Sequence, residues 1–127
     1  MTFAAVGGFL GWFLGGMDGL IYVLIAFVSA DYISGVCRAY IEKKLSSRIG
    51  SKGILKKILI FLIVGIAHLM DMYLLNDSGI LRMAAIFFYL SNEGLSLLEN
   101  ATRIGLPVPE KLKAALAGIR GRSESKK

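Results

Sequence analysis

The chain has 127 residues, 55% of them hydrophobic and only 19% charged, with a mean hydropathy of +0.63. That is too apolar for an ordinary small soluble domain and points to a membrane protein. The net charge of +6 does not indicate a nucleic-acid partner, because the basic residues gather beside apolar blocks, and the single cysteine, Cys37, excludes an intrachain disulfide and offers no metal-ligand spacing.

The first element in the chain is a Gly-rich apolar helix over residues 3–16. In "GGFLGWFLGGMDG" the glycines Gly7, Gly11, Gly15 and Gly19 recur every fourth position. On a helix this is a bare stripe that lets backbones approach in lipid, where packing rather than the hydrophobic effect drives association. These four, with Gly35 further on, are the candidate oligomerisation stripe, and Phe3, Phe9, Trp12 and Phe13 supply a bulky lipid-facing surface. Such a helix is poor in water, at about 1 kcal/mol per Gly relative to Ala, so it needs lipid or a partner. It lacks a basic n-region and a cleavage site before a soluble domain, so it reads as part of the mature protein. Hydropathy leaves open whether residues 3–16 cross the membrane or lie in the interface, and whether Met17 is a second start.

The first span covers about residues 17–37, with Asp18 and Gly19 at its start and "LIYVLIAFV" as its centre. Asp31, Gly35, Arg38 and Glu42 step by four, three and four and so share one face. Two readings stay open: a helix end that snorkels into the cytoplasm, or a helix contact at Asp31 with Gly35 allowing close approach. Cys37 reads as a packed thiol. Residues 42–53, "EKKLSSRIGSKG", form a polar loop broken by two glycines. Lys43, Lys44, Arg48, Lys52, Lys56 and Lys57 are expected to lie on the lipid surface, at about 1 kcal/mol each near anionic headgroups. "GSKG" has the wrong spacing for a phosphate loop.

A second span at about 56–75 carries His68 and Asp71 on one face, too few ligands for zinc. A third at about 80–99 is two-faced. Asn92, Ser96, Glu99 and Arg103 form a stripe, with Glu93 and Asn100 beside it, opposite the apolar "MAAIFFYL". With Asp31, Arg38, His68 and Asp71, the residues Asn92, Glu93, Ser96 and Glu99 are the candidate pore or polar helix-contact residues. Roughly 20 helical residues at about 1.5 Å each cross a hydrocarbon core of about 30 Å, so each block is of spanning size. Only Arg82 is basic in the connection before the third span, whereas the long loop and the tail are rich in Lys and Arg, which places loop and C-terminus in the cytoplasm. After "GLPVP", a helix begins near Pro109 with Leu112, Ala115, Leu116 and Ile119 on one face, followed by a polar tail. The expected organisation is an all-α integral membrane protein, with a transmembrane helical domain at 1–104 and a cytoplasmic amphipathic helix and tail at 105–127.

The segments "GGMDGLIYVLIAFVSADYISGV", "KKLSSRIGSKGILKKILIFLIVGIAHLMD" and "RMAAIFFYLSNEGLSLLENATRIGLPVPEKLKAAL" together resemble the toxin secretion/phage lysis holin family, most specifically in "DYISG" and "NEGLSLLENATRIGLPVPEKL". The resemblance implies a small phage-encoded, multi-pass protein of the bacterial cytoplasmic membrane. Such proteins oligomerise in the lipid bilayer and open lesions that release an endolysin, or in some relatives a toxin. Consistent with this, no catalytic constellation, cofactor site or metal site is evident. Two rival readings are a small proton-coupled multidrug transporter and a membrane scaffold that recruits a soluble partner.

Overall fold

The computed structural model describes residues 2–115 and 118. It contains four helices, α1 (Thr2–Phe13), α2 (Gly19–Ile41), α3 (Ser47–Leu74) and α4 (Ile80–Ile104), with residues 110–115 also helical. No strand occurs among the described residues. α4 is the central element, packed against α2 and α3, whereas α2 and α3 meet only sparsely and α1 meets only α3. Asp18 at the start of α2 and Asp71 near the end of α3 both bond Arg82 at the start of α4. At the opposite end, Arg38 of α2 bonds Asn100 of α4. α2 and α4 therefore run parallel, with α3 antiparallel to both.

Local signals account for the helix boundaries. Asp18 caps α2 by accepting from Ile21 N at 3.1 Å, and Ser46 caps α3 by accepting from Ile49 N at 3.2 Å; each satisfies a donor that the first turn leaves free. The cap at Ser46 starts α3 well before residue 56, so the expected loop at 42–53 shrinks to Glu42–Ser46, and Gly50 and Gly53 lie inside a helix. They sit beneath the Tyr32 ring, which a Cβ on Gly53 would approach to 3.3 Å.

α2 and α3 are long and apolar enough to cross a membrane, with mean hydropathies of 1.9 and 2.0 over their best windows. α4 has 25 residues, enough length, but its polar side chains keep it from passing the same test. Its apolar side faces the same core: Ile21, Leu24 and Val28 of α2 pack with Ile60 and Val64 of α3 and with Ile86 and Leu90 of α4. On α3 the buried Ile60, Val64, Ala67 and Asp71 step by four, three and four. That is the near-3.5 spacing of a helix that keeps one seam against its neighbours. Cys37, expected to be packed, is exposed, because it points away from that seam.

The glycine stripe is not one helix face. α1 ends at Phe13, and Gly15 and Gly16 then take φ of +87° and +105°, left-handed values that glycine adopts without strain. Gly7 and Gly11 thus belong to α1, Gly15 to a turn, and Gly19 to the first residue of α2. A different glycine makes the close approach: the Phe13 ring occupies the space a Cβ on Gly65 would need. Gly65→Val is therefore expected to expel that ring and detach α1, with overpacking of about 1–3 kcal/mol as the driving cost. The emission of Trp12, the one tryptophan, should shift while α-helical circular dichroism is retained; unchanged emission would contradict the contact.

The helix expected from Pro109 falls partly outside the described residues, since Leu116 and Ile119 are not among them.

Candidate functional site

Below the apolar core, the three long helices join through charge. Lys57 of α3 donates from Nζ to Asp31 Oδ2 of α2 and to Glu93 Oε2 of α4, each at 2.5 Å. The acids are 7% and 5% exposed. Asp31 lies twelve residues into α2 and Glu93 thirteen into α4, or about 18 and 20 Å along helices that rise about 1.5 Å per residue. The triad is thus near mid-length of the bundle. Isolated buried charges are costly, so pairing across three helices is what makes them tolerable.

The network continues toward the Arg38 end. Asn100 Nδ2 donates to Asp31 Oδ1 at 3.2 Å and to Ser34 Oγ at 3.0 Å. Its Oδ1 accepts from an Arg38 terminal nitrogen at 3.2 Å. Arg38 also pairs with Glu42 at 3.3 Å and Glu99 at 3.7 Å. Gly35 faces Asn100, but a Cβ there would lie 3.6 Å from Asn100 Nδ2, an ordinary contact, so the approach does not require glycine. Among the described residues no buried side-chain nitrogen or oxygen lacks a partner. Two open crevices flank Lys57. One of about 520 Å³ runs between α2 and the start of α3; another of about 460 Å³ is bordered by Tyr89, Asn92 and Glu93.

A second network closes the other end. Asp71 is fully buried and its two carboxylate oxygens accept from Leu81 N at 2.9 Å and Arg82 N at 2.8 Å. A side chain of α3 thereby caps α4, whose own N-cap, Gly79, has none to offer. The Arg82 guanidinium donates to Leu14 O at 2.6 Å, to Gly16 O at 3.1 Å and to both oxygens of Asp18. That hydrogen-bonded pair holds the Asp18 carboxyl below the usual carboxylate range.

The structure sorts the sequence candidates into groups. Asp31, Arg38 and Glu93 join the mid-bundle network, and Ser96 lines both crevices beside it. Asn92 borders one crevice, and Glu99 is exposed at the rim, reaching Arg38. Asp71 belongs to the Arg82 end. His68 lies nearby and, with Gly7, Gly11, Gly15, Met17 and Met72, borders a separate crevice of about 600 Å³. Lys43, Lys44, Arg48, Lys52 and Lys56 are exposed. Lys57 corrects the expectation of a lipid-surface role, because two buried carboxylates draw it inward.

Five participants escaped the sequence reading as site residues: Ser34, Glu42, Asn100, Arg82 and Asp18. Arg82 carried a legible signal, since a cation in the first turn of a helix opposes the macrodipole and needs carboxylates nearby. Among the described residues no group of three or more His, Cys, Asp and Glu is placed to hold a metal.

The fold is that of a small all-α protein with two helices long and apolar enough to cross a membrane, whose buried polar residues join one helix to another. The model of the bacteriophage holin family matches residues 8–121, and the chain belongs to that family. An uncharacterised protein of Listeria monocytogenes is 48% identical over 84% of this chain and 76% of its own length. An uncharacterised 14.9 kDa protein of Clostridium perfringens is 39% identical over 88% and 85%. A protein of Bacillus phage phi105 named as a probable holin is 40% identical over 62% of this chain and 58% of its own. No solved structure matches.

Proposed function

We propose that the protein is a holin that accumulates in the bacterial cytoplasmic membrane, oligomerises, and opens lesions that let an endolysin, or a secreted toxin, leave the cytoplasm. The observation that carries this reading is the Asp31–Lys57–Glu93 triad at mid-length of a bundle in a holin-family chain. α2, α3 and α4 span the membrane, with the basic α2–α3 connection and the C-terminus in the cytoplasm, in keeping with the distribution of Lys and Arg. α4 is the span that lipid alone would reject. Its polar side chains are covered by α2 and α3 in the single protomer, and many copies together can offset the cost of wetting a face that one helix cannot. In the lesion, Asp31, Lys57, Glu93, Ser96 and Asn100 face water. Gly7 and Gly11 of α1 remain available for contacts between copies, while the exposed basic residues from Lys43 to Lys56 rest on anionic headgroups.

The test is induced expression in a bacterium with and without a cytoplasmic endolysin. Abrupt loss of membrane potential, followed by clearing only when the endolysin is present, is expected. Continued growth at an intact potential would refute the proposal. Within it, Glu93→Leu should insert normally and delay lysis. The substitution removes one of the two bonds to Lys57 but leaves Lys57 and Asp31 as a balanced pair, and it puts hydrocarbon where the open lesion would present a carboxylate to water, so the open state loses more than the closed one. Unaltered lysis timing at equal membrane levels would remove Glu93 from the lesion.

A further inference from the structure

α3 is held unevenly along its length. Toward the Arg82 end it is packed, with Ile60, Val64 and Ala67 buried and Asp71 bonded to the first turn of α4. Toward the other end, Ile49, Ile54, Leu55 and Lys56 are exposed. There α3 meets α2 through Tyr32, whose hydroxyl donates to Gly50 O at 3.3 Å. Both crevices beside Lys57 share Asp31, Lys56, Lys57 and Ser96 in their walls, so the bundle passes from packed to open at this point. Lys57 spans the gap and touches one carboxylate on each of the other two helices.

We propose that Lys57 is the closing pin of the bundle. It is a positioning residue whose two ion pairs hold the Ser47–Lys56 part of α3 against α2 and α4, and whose release admits water to the polar faces of all three helices. The inference rests on the holin reading for its consequence, the moment at which the lesion opens. The physical basis is the contrast between dry and wet ion pairs. In a largely buried site, parting one ion pair leaves an uncompensated charge at high cost, whereas the same charges in water attract one another weakly. Once water reaches Asp31 and Glu93 little draws the helices together again, so release is abrupt rather than graded.

The test uses the full chain carrying Cys37→Ser, which removes the exposed thiol, and Ser96→Cys as a reporter in the shared wall. Inverted membrane vesicles are treated with a membrane-impermeant maleimide, and depolarisation is timed in intact cells. Lys57→Glu and Glu93→Lys are each expected to raise labelling at position 96 and to advance depolarisation relative to the parent. The double exchange restores one cation between two acids and should return both readouts to the parent values, as should Lys57→Arg. Because the double variant contains the same side chains as the parent triad, its recovery distinguishes pairing from a mere tolerance of charge. Single variants that label and time like the parent would overturn the proposal, as would a double variant no better than the singles. If the parent never depolarises cells, the holin reading fails, while labelling still decides the role of Lys57.

Discussion

Asp71→Leu should destabilise the folded bundle by about 3–5 kcal/mol, because two bonds from a buried carboxylate to backbone donors are lost at once, each worth about 1.5–3 kcal/mol. Arg82 N would then lie buried and Leu81 N half-buried with no acceptor, and Gly79 has no side chain to replace the cap. The carboxylate also sits at the positive end of the α4 dipole, which adds to its contribution. Asp71→Asn keeps one acceptor oxygen and should cost less than half as much. The measurement is the unfolding midpoint in a mild detergent, followed by circular dichroism; equal midpoints for Asp71→Leu and the parent would show that α4 is capped by other means.

Arg82→Met should cost less, about 1–3 kcal/mol, since the Leu14 and Gly16 carbonyls lose their donor while the half-exposed Asp18 carboxylate can turn to water. The guanidinium serves three acceptor groups in the turn after α1: two carbonyls and the Asp18 carboxylate. Arg82→Lys should rescue little, because a compact ammonium cannot present the planar fork that reaches all three. The expected signature is a lowered midpoint together with a changed Trp12 environment, because the turn that anchors α1 is released. Gly15→Ala should reproduce the Trp12 change by another route. A Cβ at Gly15 would lie 2.6 Å from Arg82 Nε, and its φ of +87° disfavours any side chain. Trp12 emission indistinguishable from the parent in both variants would mean that Phe13 and Gly65 suffice to hold α1.

The helical, membrane-suited character of the chain was legible because apolar blocks of spanning size are a one-dimensional property. So was part of the seam: Asp31, Gly35 and Arg38 share a face of α2, and all three meet Asn100. On α4 the stripe from Asn92 through Ser96 to Glu99 was displaced by about one residue from the contact face, which carries Glu93 and Asn100. Polarity tells which residues avoid lipid, but water and a neighbouring helix accept polar groups alike, so it does not tell which of the two they meet. Lys57 shows the same limit. In sequence it stands beside the exposed Lys56 in a basic run, and only the register of α2 and α4 against α3 supplies the two carboxylates that turn it inward. The glycine repeat misled for a different reason, since equal spacing is evidence of a stripe only while the helix lasts, and here it stops at Phe13.

The anchoring of α3 at Asp71 and its bridging at Lys57 also have a mechanical meaning. Asp71 lies fourteen positions after Lys57, which makes that stretch a lever about 21 Å long at about 1.5 Å per residue, with its fulcrum in the α4 cap. On that geometry a rigid tilt of about 10° carries the Lys57 end through about 4 Å, more than a hydrogen bond of about 3 Å can follow. An angular change of that size is therefore sufficient to part the charges, with no helix needing to unwind.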